Sequence, residues 1–332
     1  MTSPLLALAT SAYKLNGPDH LTALMPHLPA AKGPEAPFSH DAANVLGRRV
    51  RHASAATRFL FSTASTLAET AGMQKLLTQN PDRAGVYVAG ETIGLGEDLD
   101  FDLCVKVHGP DRVSPLKTPN TVSNVAGGQF AILTGIKGPN CTVASGEGSG
   151  IAALQLAGLA LANARIDAAI VSGIEVSSRY HAMVFPGMRE SVAAHLLVRA
   201  EDSSRVVFAL PWIGMLDTDA GSDAICAAIG AQLPDSVAPD VVLLAWGAPQ
   251  VEQTALKAAL LARGWDATVV DGAEYYGTGE ACSGLLALGM AQEWMTGAAP
   301  PGRKDKPSPR TIALVGVDQD NQGTVLVMRA TS

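Results

Sequence analysis

This sequence has few aromatic residues and few cysteines, and it has no excess of positive charge. Phe, Trp and Tyr make up 5% of the 332 residues, whereas hydrophobic residues make up 47% and alanine and glycine are frequent. This composition favours helices packed closely on sheets over an aromatic recognition surface. The net charge of −7 and the lack of a basic stripe argue against nucleic acid as a general partner. A chain of this length forms one large domain or two smaller halves.

The cysteines and the amino-terminal segment carry no targeting or metal-site pattern. The cysteines have neither CxxC spacing nor the histidine spacing of a zinc site, so we expect reduced thiols and neither a metal nor a cofactor. Residues 1–10 contain no basic segment and only a short apolar run, which is atypical of a secretory signal or a membrane span. We therefore expect a cytoplasmic protein without a membrane or nucleic-acid partner, whose first apolar run is a strand.

Apolar runs of strand length alternate with longer helical stretches, which predicts an α/β fold with parallel strands. In the first series, strands are predicted at 5–9, 85–89, 141–144, 168–172 and 193–199, and helices at 53–69, 121–134 and 149–164. In the second series, strands are predicted at 206–215, 241–245, 267–270, 312–315 and 324–328, and helices at 222–230, 251–263 and 280–295.

The two series contain a similar segment. Residues 143–154 and 277–288 each lead through a glycine-rich turn into a helix of alanine and leucine. Internal similarity of this kind indicates a duplication. We therefore predict two related βα halves, residues 1–204 and 205–332, stacked as alternating helix and sheet layers, with a sharp turn, here called the first elbow, at residues 145–150.

Residues 120–178 carry the most distinctive pattern. A helix of small residues leads into the turn at Gly138-Pro139, a strand with Thr142-Val143, the elbow around Glu147 and a long apolar helix, and the next strand ends at Glu175. This arrangement resembles the β-ketoacyl synthase family of the thiolase-like fold, in which the elbow carries a cysteine. An ungapped match puts Glu147 at the position of that cysteine.

The resemblance also implies two catalytic histidines, and this chain has other residues in their place. The first family histidine follows an apolar strand, and the comparable residue here is Trp246. The second opens a helix, and Thr278 stands there. A carboxylate cannot hold an acyl group as a thioester, and both histidines are replaced as well. The resemblance therefore implies that Glu147, Trp246 and Thr278 are degenerate positions and that condensation chemistry is lost.

Glu147 has two interpretations from the residues alone. It lies between Gly146 and Gly148, and glycines permit the backbone geometry of an elbow. Its place before a helix predicts a carboxylate that the helix N-terminus stabilises, with a lowered pKa, or simply an ordinary N-terminal helix acid. A lowered pKa argues against a general base, which needs a pKa near the operating pH. The GEGSG sequence around Glu147 fits neither the GxGxxG nor the GxxxxGK(S/T) pattern of phosphate-binding loops. Ser149 lies one residue too late for the GxSxG elbow of lipases.

Other residues near the degenerate positions have both a functional and a packing interpretation. The Trp246 indole can block a substrate tunnel or fill the core. Tyr275 and Tyr276, which precede a turn, and Ser149 are candidate pocket residues, although paired aromatics before a turn also occur in ordinary packing. The sequence leaves these alternatives open.

Two surfaces are candidates for partner binding. The basic cluster Arg48, Arg49 and Arg51 either docks an acidic acyl carrier protein or forms a solvated helix face paired with local acids. The resemblance places a second group near a dimer two-fold, together with strand 141–144, which we expect to be central in the sheet. The candidate interface residues are Asn120, Asn124, Gln129, Cys141 and Thr142.

Taken as a whole, the resemblance implies a catalytically inactive subunit similar to the chain length factors of type II polyketide systems. Such subunits form a heterodimer with an active ketosynthase and shape the cavity for a growing polyketide or fatty acyl chain on an acyl carrier protein. Two alternatives remain. One is an enzyme with altered chemistry on acyl or malonyl thioesters, a decarboxylase or hydrolase that uses Glu147. The other is a homodimeric acyl-carrier-binding protein.

Overall fold

The computed structural model describes residues 5–15, 52–185, 188–216, 221–234, 237–247, 251–303 and 306–331. The strands are β1 (Leu6–Leu15), β2 (Ala84–Ala89), β3 (Asn140–Val143), β4 (Ala168–Glu175), β5 (Ser191–Arg199), β6 (Val206–Phe208), β7 (Trp212–Met215), β8 (Val241–Trp246), β9 (Thr268–Asp271), β10 (Thr311–Val317) and β11 (Gln322–Ala330). The α-helices are α1 (Ala55–Ala68), α2 (Ala71–Gln79), α3 (Leu95–His108), α4 (Val125–Thr134), α5 (Ser149–Ala162), α6 (His181–Val184), α7 (Gly221–Gln232), α8 (Gln253–Ala262), α9 (Ala273–Tyr276) and α10 (Ser283–Thr296).

The sheet repeats one topology twice. Its strand order is β3-β2-β4-β5-β1-β6-β11-β10-β8-β9, with β7 paired to β11. In the first half β2 is parallel to β3 and β4, and β5 is antiparallel to β4 and β1. In the second half β8 is parallel to β9 and β10, and β11 is antiparallel to β10 and β6. The halves meet where Leu6 of β1 pairs with Phe208 of β6. The predicted duplication is therefore visible in strand order and direction.

Three buried clusters separate the layers. The central cluster holds apolar residues of α5 and α10 together with strands of both halves. A second cluster packs α1 and α4 on the outer face of the first half, and a third packs α7 and α8 on the outer face of the second. Helix and sheet layers thus alternate, and the fold is the thiolase-like α/β architecture that the sequence predicts. The predicted boundary at residues 204 and 205 falls between β5 and β6; that it separates two domains stays a prediction.

Several local expectations need correction. Strand β3 lies at the edge of the sheet, next to β2 alone, and is not central as expected. The strand predicted at 206–215 is two strands, β6 and β7, because Pro211 cannot donate to a sheet ladder. Helices α2 and α3 were not predicted; α3 has no buried residue, so its sequence lacks the apolar stripe that marks a helix. Among the described helices, none is long and apolar enough to cross a membrane.

Candidate functional site

The first elbow is a tight turn between β3 and α5. Gly146 adopts a left-handed φ of 81°, and Glu147 follows it, two residues before α5 begins at Ser149. The hydroxyl oxygen of Ser149 accepts the N–H of Ser145 at 2.7 Å, which closes the turn. The alignment predicts this placement of Glu147 at the helix start. The left-handed backbone position, however, belongs to Gly146 and not to the glutamate.

The second half repeats this turn before α10, and we call it the second elbow (residues 279–283). The hydroxyl oxygen of Ser283 accepts the N–H of Gly279 at 3.1 Å, as Ser149 does in the first elbow. Glu280 has a φ of 39°, where the first elbow has Gly146. A non-glycine residue at such a φ is strained, and strain of this kind is held in place by surrounding structure.

A buried carboxylate connects the second elbow to the first half. Glu175, the last residue of β4, is fully buried. It accepts the N–H groups of Glu91 at 3.2 Å and Ala281 at 3.0 Å, and the hydroxyl of Thr92 at 2.6 Å. Burial raises the pKa of Glu175 to about 8, although these hydrogen bonds act in the opposite direction. The side chain therefore fixes the second elbow against the loop that follows β2.

A second glutamate fixes the first elbow. The carboxylate of Glu91 accepts the N–H of Gly146 at 2.7 Å and lies 3.1 Å from the hydroxyl of Ser149. Glu91 follows β2 and Glu175 is the last residue of the parallel strand β4, so both lie at the same end of the sheet, and together they hold both elbows. The sequence pattern does not indicate Glu91 as a site residue, and it indicates Glu175 only as the end of a strand.

The pKa of Glu147 is shifted in the opposite direction from the one expected. Burial, with the charges of Glu280 and Asp318 nearby, raises the pKa of Glu147 from 4.5 to about 7. The expected lowering by the helix N-terminus is wrong, because loss of solvation and two neighbouring acids outweigh the helix dipole. Burial also raises the pKa of Glu280, with a further contribution from Glu91. Glu280 and Asp318 were not among the predicted site residues. Within the described residues, no group of three or more His, Cys, Asp or Glu side chains is arranged to hold a metal ion.

The three degenerate positions have different environments. Trp246 ends β8, is 4% exposed, and lies close enough to the first elbow that a β-carbon on Gly148 would be 3.7 Å from its ring. Thr278 is exposed, and its carbonyl accepts the N–H of Arg189 at 3.1 Å. The structure thus brings Trp246 to the elbow of Glu147. From the second elbow it is Glu280, two residues beyond Thr278, whose charge acts on Glu147.

Two of the three candidate pocket residues are fully buried, and the third is partly buried. Tyr276 is fully buried, and its hydroxyl donates to the carbonyl of Ala245 at 2.7 Å, so it is part of the core beside Trp246. Tyr275 is partly buried against the same core. Ser149 is also fully buried and closes the first elbow. That any of these side chains lines a ligand pocket stays a prediction.

The candidate interface residues cluster around the edge strand. Cys141 and Thr142 lie on β3, and Gln129 and Asn124 lie on and just before α4, which packs on β3. Asn120 is buried and donates to the carbonyl of His52 at 2.7 Å. Within the described part of the chain, the side-chain oxygens of Gln129 and Thr142 are buried without a hydrogen-bond partner. The basic cluster Arg48, Arg49 and Arg51 lies outside the described residues.

Comparison with known sequences identifies one family. The sequence model of the β-ketoacyl synthase N-terminal domain matches residues 28–202. Among curated relatives, the 3-oxoacyl-[acyl-carrier-protein] synthase 2 of Vibrio cholerae is 31% identical over 100 residues, which are 30% of this chain and 24% of the relative. That of Vibrio harveyi is 26% identical over 104 residues, which are 31% of this chain and 25% of the relative. The matched stretch therefore spans about a quarter of the length of these relatives.

Comparison with solved structures shows the same fold over the whole chain. The ishigamide ketosynthase/chain length factor matches with a TM-score of 0.72 and 20% identity, covering 98% of this chain and 99% of that one. The ketosynthase complex AntDE:AntF, which includes a type II acyl-carrier protein, gives 0.78 and 11% identity over 99% and 100%. A ketosynthase from module 6 of the Bacillus subtilis bacillaene synthase gives 0.69 and 13% identity over 99% and 70%. At these identities the similarity shows the fold alone.

Proposed function

The chain belongs to the β-ketoacyl synthase family, and from this premise we propose that it is a non-catalytic subunit of the chain length factor type. It pairs with an active ketosynthase and shapes the cavity in which an acyl chain grows on a carrier protein. The observation that carries this proposal is the residue at the first elbow. Glu147 occupies the turn in which the family resemblance places a cysteine, and a carboxylate cannot form the acyl thioester on which condensation depends.

The groups around Glu147 support loss of condensation rather than a rearranged version of it. Glu280 and Asp318 add negative charge, and the Trp246 indole lies beside the elbow. Stabilising an enolate or oxyanion requires hydrogen-bond donors or positive charge at the reacting atoms. A site surrounded by carboxylates disfavours such anions.

The surface around β3 supports pairing with a partner subunit. One edge of β3 is bonded to β2, and no described strand bonds to the other. Exposed apolar side chains lie on the two helices that pack on β3: Ile132 of α4 is 81% exposed, and Leu156 and Leu159 of α5 are each 41% exposed. An apolar helix face beside an open strand edge is typical of an interface.

Co-expression with a catalytically intact ketosynthase from the same genome, followed by size-exclusion chromatography, tests the pairing. We expect the two chains to elute as one heterodimer. Ile132→Asp should separate them, because it puts a charge into the apolar interface. Leu261→Asp is the matched control, since Leu261 is 61% exposed on α8 in the second half. A heterodimer that forms equally well with Ile132→Asp would contradict the assigned surface. A stable homodimer alone would favour the carrier-binding alternative.

One observation favours a second candidate function. A pKa near 7 suits a general base at neutral pH, and Glu147 has such a pKa. The chain would then be a hydrolase or decarboxylase that acts on acyl or malonyl thioesters. Within the described residues, no hydrogen bond orients the Glu147 carboxylate, whereas the carboxylates of Glu91 and Glu175 each accept a backbone N–H. Turnover of malonyl or acyl carrier by the isolated chain, lost in Glu147→Gln, would establish this function instead.

A further inference from the structure

Three glycines from three different elements surround the Trp246 indole. A β-carbon on Gly316 of β10 would lie 2.1 Å from the ring, one on Gly284 of α10 would lie 2.9 Å from it, and one on Gly148 of the first elbow 3.7 Å. The ring therefore rests against backbone where side chains would otherwise project. It fills a slot that these three elements outline between the two elbows.

The acidic residues of the site stand beside this slot. Glu147 directly precedes Gly148 and is partly exposed, whereas Trp246 is 4% exposed. The charge of Glu147 also acts on Tyr276, whose hydroxyl is bonded to Ala245, the residue before Trp246. A group that entered the slot from solvent would thus pass Glu147, with Glu280 and Asp318 close to it.

We infer that the Trp246 indole is a steric plug, which keeps closed a slot between the elbows that accepts a neutral, apolar chain once the indole is removed. Its role in confining the acyl chain to the partner's side of the cavity rests on the proposed function. The three acidic side chains at the slot select against negatively charged ligands. They repel an anionic head group, so an alkanol enters where the corresponding alkanoate does not.

Ligand binding by the isolated chain tests the plug. Trp246→Ala is titrated with 1-octanol and with octanoate in slightly alkaline buffer, and binding is followed by calorimetry. We expect saturable binding of octanol to the variant and not to the wild type, at least about tenfold tighter than binding of octanoate. Adding Glu147→Gln should reduce this discrimination. Trp294→Ala is the matched control, because Trp294 is fully buried on α10; Glu147→Gln should not change ligand binding by that variant.

A folded Trp246→Ala variant that binds octanol no better than the wild type would overturn the inference. So would discrimination against octanoate that Glu147→Gln leaves unchanged. If the alanine variant does not fold, Trp246→Leu removes less volume and is titrated with 1-hexanol under the same criteria. Failure of both variants to fold would show that the ring is an ordinary core residue and not a plug. These measurements use no partner subunit, so octanol binding without heterodimer formation would separate failure of the proposed function from failure of the plug.

Discussion

Replacing Glu147 with glutamine should stabilise the protein at alkaline pH. In the unfolded chain this carboxyl loses its proton near pH 4.5, whereas in the folded chain its pKa is about 7. The folded state therefore holds the proton more tightly, and the stability that this provides is lost as pH rises from 4.5 to about 7. A shift of this size corresponds to at most about 3 kcal/mol, and solvent screening of the partly buried side chain reduces it to about 1 to 2 kcal/mol.

Urea unfolding of the wild type and Glu147→Gln at about pH 5 and about pH 8 measures this effect. We expect the variant to gain about 1 to 2 kcal/mol relative to the wild type between the two conditions. Glu252→Gln is the control, because Glu252 is also an acid at a helix N-terminus, but it is exposed and its carboxylate accepts the N–H of Ala255 at 2.8 Å. That variant should lose up to about 1 kcal/mol from its cap and show no alkaline gain. A Glu147→Gln variant that is less stable than the wild type at alkaline pH would refute the reasoning and restore a stabilising helix-terminal carboxylate.

Two further stability predictions and one on activity follow from the same hydrogen bonds and pKa shifts. Burial lowers the pKa of His195 from 6.5 to about 4, so the wild type should lose up to about 3 kcal/mol of stability as pH falls from 6.5 to 4. His195→Gln should not show this loss when urea unfolding is measured across that pH range. Glu175→Gln should cost about 1 to 3 kcal/mol in the same assay. Oε1 of Glu175 accepts the N–H groups of Glu91 and Ala281 and Oε2 accepts the N–H of Thr92, and the amide NH₂ that replaces one of these oxygens cannot accept an N–H. Glu274→Gln, on an exposed side chain, should cost little. In the reconstituted complex, Glu147→Gln should leave the rate of product formation nearly unchanged, and a large loss of rate would indicate a catalytic glutamate.

The order of strands and helices could be predicted because it depends on local patterns. The apolar run that becomes β8, the turn at Gly146 and the apolar helix α5 are each readable within about a dozen residues. The duplication is also local, since both elbows close through a serine four residues after the bonded N–H. Pro211 is a strand breaker that the sequence shows, so the prediction of a single strand across it was avoidable.

The edge position of β3 and the electrostatics of the site could not be predicted in the same way. Strand position depends on pairing between distant segments, and β3 has only four residues, Asn140–Val143, which are too few for a pattern that separates a central strand from an edge strand. The raised pKa of Glu147 depends on burial and on Glu280 and Asp318, which only the folded chain brings near it. The role of Glu91 likewise depends on the placement of β2 beside β3, which brings its carboxylate to the first elbow.

Intact-protein mass spectrometry of the co-purified heterodimer, after incubation with an acyl carrier thioester, tests the central claim most directly. The account predicts an added acyl mass on the ketosynthase partner and an unchanged mass for this chain, because the first elbow offers a carboxylate and no thiol. An acyl adduct on this chain, reduced in Glu147→Gln, would contradict the account and establish this chain as an enzyme.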